Sequence, residues 1–248
     1  LLCIYLMPKP RPWCNLTGLG PQRDRFLRES LQELKEQLQT LGQDLMVLEG
    51  SPELVLPNIV DRFSIDHVTT SYTPGWHETQ AIAFLEQKLP ATLSVFRGST
   101  LFDAEQFPFE LEDLPDTFSP FRHKVEKLNI SSPMTAPSTL PPPPSAQFDA
   151  VPKAVASPHP GLPLPGGSAA GLRRLDQFLF QTHAIADYKQ TRNDLDGLSG
   201  SSTLSPWLAS GALSARTVAH AIFRYEREHV ANDSTYWLYF ELLWREFF

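Results

Sequence analysis

Residues 201–205 read Ser-Ser-Thr-Leu-Ser and form a hydroxyl-rich cluster just ahead of Pro206. Ser205 is a good N-cap residue and proline is favoured in the first helical turn, so a helix is predicted to begin here. Free N–H groups at a helix start favour an anion, and the hydroxyl groups ahead of them could complete a cradle for a diphosphate. A capped surface helix with a polar lead-in has the same sequence, and composition alone favours that simpler structure.

A second group of side chains combines aromatic rings with a carboxylate near the end of the chain. Four residues recur there at steps of four, three and four: Trp237, Glu241, Trp244 and Phe248. This spacing places them on one face of a predicted helix. A carboxylate centred in an aromatic stripe is unusual for a plain core. The alternative is an interior face on which Glu241 pairs with Arg245 one turn further along, and the spacing does not decide between the two.

Length and charge limit the classes of function. The 248 residues can bury the core of one large or two ordinary domains. The net charge of −7 does not indicate a nucleic-acid binder, yet the acidic excess is uneven. Residues 1–170 carry 13 basic and 19 acidic residues, whereas residues 171–248 carry 8 and 9. A local basic patch in the C-terminal part is therefore compatible with the composition.

The two cysteines, Cys3 and Cys14, have neither metal-type spacing nor a partner cluster. They favour a reducing compartment and two inert thiols, and they predict no metal site. Residues 1–7 are apolar but stop at Pro8, which is too short for a bilayer, so they predict a buried strand and no contact with a membrane. Because the chain starts without Met and ends inside a helical pattern, we expect it to be cut from a longer protein, without any targeting segment. The compartment would be the cytoplasm in a bacterium and is otherwise undetermined.

From residue 1 to residue 97, apolar strand-like runs alternate with helical patterns, which is typical of βαβ units and a parallel sheet. The clearest helix covers residues 23–41, where five leucines form a stripe and Gly42 supplies the stop. Another helix begins at Ser51-Pro52. No glycine-rich phosphate loop follows any strand, so the sequence does not support a P-loop or dinucleotide fingerprint. The remaining predicted elements are strands at 1–7, 45–48, 65–70 and 93–96 and a helix at 77–89.

The composition changes to proline, serine and alanine between residues 129 and 170, with four consecutive prolines at 141–144. This stretch lacks periodicity and predicts an extended linker; a ligand for an SH3-type domain is the less favoured alternative. Three helical patterns follow, at residues 171–188, 214–228 and 234–248. The predicted domains are an α/β domain at 1–128, a proline-rich linker at 129–170 and the start of an all-α domain at 171–248.

Several ordered blocks in the C-terminal part match one family. They are 188–193 (Tyr-Lys-Gln-Thr-Arg-Asn), 202–209 (Ser-Thr-Leu-Ser-Pro-Trp-Leu-Ala), 211–216 (Gly-Ala-Leu-Ser-Ala-Arg) and 234–247, which begins Ser-Thr-Tyr-Trp and ends Trp-Arg-Glu-Phe. Through these blocks the chain resembles the photolyase/cryptochrome flavoproteins, and the first and last blocks look like the DASH cryptochrome branch in particular. The resemblance extends to Arg-Gly-Ser-Thr-Leu-Phe at 97–102 and to residues 118–126.

The resemblance implies an α/β antenna domain with a Rossmann-like parallel sheet, followed by an all-α domain that binds FAD. Both ends would be truncated, and the first strand of the antenna domain would be missing. Hydroxyl groups and backbone amides of the helical domain would meet the phosphates of the flavin nucleotide. Matched position by position, the residues in contact with FAD would be Tyr188, Ser201, Ser202, Thr203, Leu204, Ser205, Trp237, Glu241, Arg245 and Phe248.

The resemblance also implies light-driven repair of DNA that contains pyrimidine dimers. Excited reduced FAD would donate an electron to the dimer, the ring would split and the electron would return. Trp244 would stack on a flipped dimer, and Glu241 would hydrogen-bond its base edge or hold a transient proton; these two are the predicted catalytic residues. With Arg192, which would contact a phosphate near the lesion, they form the predicted DNA-binding set. Weaker basic candidates for the same face are Arg173, Arg174 and Arg216.

An antenna cofactor is implied as well. A folate, 5,10-methenyltetrahydrofolate, would pass excitation energy to the flavin, and Glu126 is the residue expected to hold it; an ordinary solvated glutamate is the alternative. The protein is expected to be a monomer. Because the family keeps part of its flavin pocket in a region that these 248 residues lack, the chain alone is expected to hold FAD weakly and to be inactive.

Two functions from different classes follow from these expectations. The first is an enzyme, a deoxyribodipyrimidine photo-lyase of the DASH type that acts on cyclobutane pyrimidine dimers, expected in single-stranded DNA. The alternative is a cryptochrome photoreceptor that binds FAD and DNA and signals in response to blue light without repair. Glu241 and Trp244 favour repair, because a signalling pocket does not need them. A generic α/β nucleotide-binding module fused to a helical domain is a third interpretation.

Overall fold

The structure is a computed structural model. The residues it describes are 1–7, 18–161, 163–194 and 199–248, so Cys14 lies outside them. Contacts divide the chain into two compact units, residues 1–98 with 136–157 and residues 99–135 with 158–248. The first unit contains the strands and the second contains helices, so the predicted order of an α/β fold followed by an all-α fold is confirmed.

The first unit alternates strands and helices. Its elements are β1 (Cys3–Met7), α1 (Pro21–Thr40), β2 (Leu45–Glu49), α2 (Pro52–Phe63), β3 (His67–Ser71), α3 (Trp76–Lys88) and β4 (Thr92–Phe96). β1 pairs with β2 in parallel, with Cys3 opposite Leu45, and β3 pairs with β4 in parallel, with His67 opposite Thr92. A helix connects the strands of each pair, so each pair is a βαβ unit. The predicted parallel architecture is therefore present as two two-stranded sheets.

Three leucines of the α1 stripe, Leu27, Leu31 and Leu38, pack in the core of the first unit, whereas Leu34 is 42% exposed. Pro21 stands in the first turn, where its missing N–H would have had no helical partner. Leu31, in the middle of the stripe, is only 2% exposed and belongs to the same core cluster as Met7 and Leu45. The chain leaves the helix through Gly42, whose φ of +77° is a conformation that favours glycine. The observed bounds of α1 differ from the predicted ones by no more than two residues.

The proline-rich stretch forms no helix or strand over residues 129–157, but much of it belongs to the first unit. Residues 136–157 form contacts with that unit, and Val151 is buried in its core cluster. The Gln43 side-chain amide donates to the carbonyl oxygen of Pro141 at 2.8 Å, and the Leu1 amino group donates to that of Pro142 at 3.2 Å. Composition indicated an extended spacer; it could not show that the prolines serve as hydrogen-bond acceptors. The contacts therefore divide the chain differently from the predicted boundaries at 128 and 170.

The second unit is helical. After two short 3₁₀ turns at Ala104–Gln106 and Leu111–Asp113, its elements are α4 (Phe118–Val125), α5 (Ser168–Asp176), a π turn at Gln177–Gln181, a 3₁₀ turn at Ala184–Asp187, α6 (Tyr188–Thr191), α7 (Ser205–Ser210), α8 (Ala215–Glu228) and α9 (Asp233–Phe247). The predicted single helix at 171–188 is wrong. The Thr182 amide donates to the Gln177 carbonyl oxygen at 3.0 Å, and His183 has a φ of +54°, so the α-helical path ends before α6.

α9 begins with a capping box that the sequence analysis missed. The Asn232 side-chain oxygen accepts from the amides of Ser234 and Thr235, at 2.8 and 3.0 Å. The Thr235 hydroxyl in turn accepts from the Asn232 amide at 3.1 Å. These reciprocal bonds satisfy N–H groups that a helix start leaves open, so they fix where α9 begins.

Residues 99–103 belong to the second unit because α8 and α9 hold their backbone. The Glu246 carboxylate accepts from the amides of Leu101 and Phe102, at 2.8 and 3.2 Å. Arg216 donates to the Thr100 carbonyl oxygen at 3.1 Å and also pairs with a carboxylate oxygen of Asp103 at 2.8 Å. The last thirty residues of the predicted α/β domain at 1–128 thus belong to the helical unit.

None of the helices in the described part of the chain is both long and apolar enough to span a membrane.

Candidate functional site

Residues 201–204, here called the hydroxyl loop, precede α7. Thr203 has a φ of +54°, and Leu204 follows with φ −76° and ψ −12°. Such a left-handed residue followed by a right-handed one turns successive backbone N–H groups toward one concave side, an arrangement that binds anions in other proteins. Ser205 is the first residue of α7, so its prediction as the N-cap is off by one position.

The hydroxyl loop is held by side chains of two helices. Arg174 of α5 donates from Nη2 to the Ser201 carbonyl oxygen at 2.7 Å, and from Nε to the Ser202 carbonyl oxygen at 3.0 Å. The Thr191 hydroxyl donates to the Gly200 carbonyl oxygen at 2.9 Å. Behind the loop, the Trp207 side chain is fully buried. The predicted phosphate-side residues are therefore a packed, hydrogen-bonded loop rather than a solvated lead-in.

Tyr188 connects the hydroxyl loop to α9. Its side chain is buried, and its ring meets that of Phe178 edge to face, with centroids 5.9 Å apart. Burial raises the pKa of the Tyr188 phenol, the negative charge of Glu241 raises it further, and Arg192 and a hydrogen bond with Ser202 partly oppose the shift. The structure thus brings Tyr188, the hydroxyl loop and Glu241 into one neighbourhood, although they lie as far as 53 positions apart in sequence.

Glu241 pairs with Arg192 and not with Arg245. Arg192 Nη1 lies 2.5 Å from Glu241 Oε1, and the two side chains are 30% and 34% exposed. Arg245 Nη1 instead donates to the Ser99 carbonyl oxygen at 2.6 Å. The alternative of an i,i+4 pair within α9 is therefore wrong, because the partner of Glu241 comes from the end of α6.

Trp237 lies beside this ion pair. The Arg192 guanidinium carbon and the Lys189 ammonium are each 5.0 Å from the centroid of the Trp237 ring, and the ring stacks on Phe240. Cations over a tryptophan face are attracted by its quadrupole. The Trp237 Nε1 atom is buried and has no hydrogen-bond partner among the described residues. A buried donor without a partner is rare, and it marks a place where a ligand acceptor would be favourable.

Trp244 lies in a stack of aromatic rings. Its indole is 3.7 Å from the ring of Phe118, centroid to centroid, at an interplanar angle of 13°. Phe248 lies nearly parallel to the same indole at 5.7 Å, and its own side chain is 86% exposed. A ring of the chain itself thus covers part of the surface that was predicted to stack on a base. Phe118 was not among the predicted site residues, and its spacing from Trp244 gives no periodic signal.

Glu126 is paired rather than freely solvated. Tyr236 donates its hydroxyl to Glu126 Oε2 at 2.7 Å, and Arg122 Nε lies 3.6 Å from the same oxygen. Burial raises the pKa of the Tyr236 phenol, and its hydrogen bond to Glu126 raises it further. The interpretation of Glu126 as an ordinary surface glutamate is therefore wrong. Its predicted role in holding a folate remains a prediction.

Two of the three weaker basic candidates serve the chain itself. Arg216 binds Thr100 and Asp103, and Arg174 binds the hydroxyl loop, whereas Arg173 is exposed. The sequence held a signal for Arg174. It lies four residues after Ala170 and four before Phe178, both buried, so it interrupts an apolar stripe as Glu241 does.

The family model described as DNA photolyase matches residues 1–144, which is more than half of the chain. The chain therefore belongs to the DNA photolyase family. The resemblance to photolyases and cryptochromes inferred from the sequence blocks is confirmed.

Individual relatives indicate a branch of the family. The chain is 40% identical over 252 residues to a cryptochrome DASH of Synechocystis sp., covering 92% of this chain and 49% of the relative. It is 38% identical over 254 residues to a cryptochrome DASH of Vibrio parahaemolyticus, covering all of this chain and 56% of the relative. The chain thus spans about half the length of the curated relatives it matches.

Solved structures give the same result for the fold. The crystal structure of a Synechocystis sp. cryptochrome superposes with a TM-score of 0.91 at 36% identity, covering 99% of this chain and 54% of that one. A class III photolyase from Agrobacterium tumefaciens superposes with a TM-score of 0.77 at 23% identity, covering 99% of this chain and 52% of that one. The second likeness supports the fold alone.

Proposed function

We propose that this chain is part of an FAD-dependent enzyme that uses blue light to repair cyclobutane pyrimidine dimers in DNA, with single-stranded DNA as the substrate. Membership of the DNA photolyase family supports the reaction class, and the cryptochrome DASH relatives support the branch. The observation that carries the proposal is the placement of Glu241 and Trp244 on α9, with Glu241 beside Tyr188 and Arg192. A carboxylate and an indole together suit a flipped base.

The residues fit a flavin nucleotide in two places. The hydroxyl loop offers backbone N–H groups for the phosphates, and the buried Nε1 of Trp237 is a donor that lacks an acceptor among the described residues. FAD, when bound and reduced, would supply the light-driven electron. The chain's part is to hold and orient it, and the residues proposed for this are Tyr188, Ser201, Ser202, Thr203, Leu204, Ser205, Trp237, Glu241, Arg245 and Phe248.

The pair of Arg192 and Glu241 has a role in this function. With one third of each side chain exposed, the pair is accessible to a DNA phosphate. The Arg192 guanidinium presents five N–H donors, so it can bind a phosphate oxygen and keep a bond to Glu241. In this arrangement Arg192 positions DNA and holds the Glu241 side chain oriented toward the base edge.

Arg192→Ala is expected to weaken binding of a dimer-containing single-stranded oligonucleotide about tenfold and to reduce the slope of log K against log salt by about 1, because one phosphate contact is lost. Fluorescence anisotropy at several salt concentrations measures both quantities in the full-length protein. Arg227→Ala removes an equal charge from an exposed position on α8 and should change neither. An unchanged salt slope in Arg192→Ala would contradict a phosphate contact.

A folate antenna is proposed at Glu126. The Glu126 carboxylate keeps one oxygen on Tyr236 and Arg122, and its other oxygen can accept from an amino group of a pterin. The proposal concerns light harvesting only; repair would proceed without it at higher light intensity.

A second function, a blue-light photoreceptor that binds FAD and DNA without repair, is favoured by one observation. Phe118 covers a face of Trp244 at 3.7 Å, so part of the base-stacking surface is already occupied. The relatives are also named cryptochromes.

Repair under blue light separates the two functions. The full-length protein is incubated with single- and double-stranded oligonucleotides that each contain one cyclobutane dimer, in blue light and in darkness. We expect restored thymine absorbance at 260 nm only in the light, and faster with the single strand. Flavin absorbance without repair of either substrate would remove the enzyme and leave the photoreceptor. A colourless full-length protein would contradict both.

A further inference from the structure

The Arg174 guanidinium is aligned with the backbone of the hydroxyl loop. Its Nε donates to the Ser202 carbonyl oxygen and to the Thr203 hydroxyl, each at 3.0 Å. Its Nη2 donates to the Ser201 carbonyl oxygen at 2.7 Å, and its Nη1 to the Gln177 side-chain oxygen at 3.3 Å. One planar side chain thus binds three successive residues of the loop. The fork of donors that makes this possible is specific to arginine.

These bonds determine where the amides of the loop point. The structure has no cis peptide bond among its described residues, and in a trans peptide the carbonyl and the following N–H point in opposite directions. Because the carbonyl groups of Ser201 and Ser202 point at Arg174, the amides of Ser202 and Thr203 point away from it. The guanidinium therefore orients the donors of the loop toward the side opposite to itself.

The conformation of Thr203 needs such support. Its φ of +54° is strained for a residue with a β-branched side chain, and strained residues persist only where their surroundings hold them. Arg174 binds both the hydroxyl of Thr203 and the carbonyl group that precedes it. The Arg174 side chain is itself half-buried between α5 and the loop, because Gly171 lets α5 approach Trp207: a Cβ at Gly171 would lie 2.9 Å from Trp207 Cδ1.

We infer that Arg174 is a positioning residue, which holds the hydroxyl loop in the conformation that presents its backbone amides to the diphosphate of FAD. The inference rests on the proposed flavin function. Arg174 acts through the loop, since its Nε and Nη2 groups bind loop oxygens. It is thereby distinct from Arg192, whose charge is available to a phosphate.

Hydrogen exchange of the ligand-free chain tests the first half of this inference. Arg174→Lys keeps the charge but loses the planar fork, and Arg174→Gln loses both. In both variants we expect backbone amides of residues 199–205 to exchange at least about tenfold faster, with α8 and α9 unchanged, because bonds to a charged donor are lost from a strained loop. Arg227→Gln, an exposed charge on α8, is the matched control and should exchange as the wild type does. Unchanged exchange in Arg174→Lys overturns the positioning role.

Flavin specificity tests the second half. FAD and riboflavin, which has no phosphate, are titrated against the wild type and Arg174→Lys. We expect FAD affinity to fall about tenfold and riboflavin affinity to stay within about twofold, since the loop contacts only phosphates. An equal fall for both ligands would indicate a general structural defect, and no fall for FAD would show that the charge alone matters; either result overturns the inference. If the wild type binds neither flavin, the proposed FAD site is wrong, and the exchange result alone decides whether Arg174 holds the loop.

Discussion

Glu246→Ala is expected to lower the free energy of unfolding by about 2–4 kcal/mol, because it leaves two backbone amides without an acceptor in a buried site. The Glu246 carboxylate accepts from Leu101 and Phe102, whose side chains are fully buried. Urea denaturation followed by circular dichroism measures the loss. Glu228→Ala, on the exposed face of α8, is the control and should stay within about 0.5 kcal/mol of the wild type. Equal stability of the two variants would show that water replaces the carboxylate.

Glu246 also makes the free energy of unfolding depend on pH, and the direction of this dependence follows from the shift of its pKa. Burial raises the pKa of the Glu246 carboxyl, and the hydrogen bonds from Leu101 and Phe102 only partly oppose the shift. At pH values between the ordinary pKa of about 4.3 and the raised pKa, the folded chain holds a proton that the unfolded chain has released. This group therefore lowers the free energy of unfolding as the pH rises through that window. Glu246→Gln lacks the titrating group. Its unfolding free energy should therefore fall less than that of the wild type from about pH 4 to about pH 6.

Trp244→Ala is expected to weaken binding of a single-stranded dimer oligonucleotide by about tenfold to a hundredfold, because stacking of one base on an aromatic ring contributes about 1–3 kcal/mol. Trp244→Phe keeps a ring and should retain most of the affinity. The full-length protein is measured by anisotropy, with an undamaged oligonucleotide of the same sequence for comparison. We expect the ratio of the two affinities to approach one in Trp244→Ala.

Two controls separate stacking from folding in that experiment. Trp76→Ala removes an indole that is 73% exposed in the first unit, and it should leave binding unchanged. Because Trp244 also stacks on Phe118, the thermal unfolding of Trp244→Ala must be recorded beside its binding. If Trp244→Ala keeps its preference for damaged DNA, the dimer stacks elsewhere and the photoreceptor becomes the better proposal.

The elements that leucine spacing and capping residues specify were predictable from the sequence. α1 illustrates this: Leu31 and its neighbours repeat with the period of the helix, and Gly42 ends it. The interruption of the α-helix between α5 and α6 was not predictable in this way. The helical spacing of apolar residues continues through His183, whereas the α-helical backbone conformation does not. The hydrogen bonds of the proline-rich stretch were not predictable either, because the spacing of side chains does not indicate which backbone carbonyl oxygens accept hydrogen bonds.

The shared helix face of the candidate residues was predictable from the sequence, but the pairing of their side chains was not. The face that carries Glu241 and Trp244 follows from helical spacing, yet the choice of Arg192 over Arg245 as the partner of Glu241 depends on how α6 packs on α9. Such a contact joins residues 49 positions apart and has no local signature. Arg174 was predictable only in part. Its position in a buried helical stripe could be predicted from the sequence, but the oxygen atoms that accept its hydrogen bonds could not.

The proline-rich stretch also bears on self-association. Pro141 and Pro142 accept hydrogen bonds from Gln43 and Leu1, and neither proline has an N–H group to offer in return. A β-strand of a second molecule needs alternating donors and acceptors along the edge it joins, and four consecutive prolines supply acceptors only. A strand of a second molecule therefore cannot pair along residues 141–144, because those residues have no N–H group to donate.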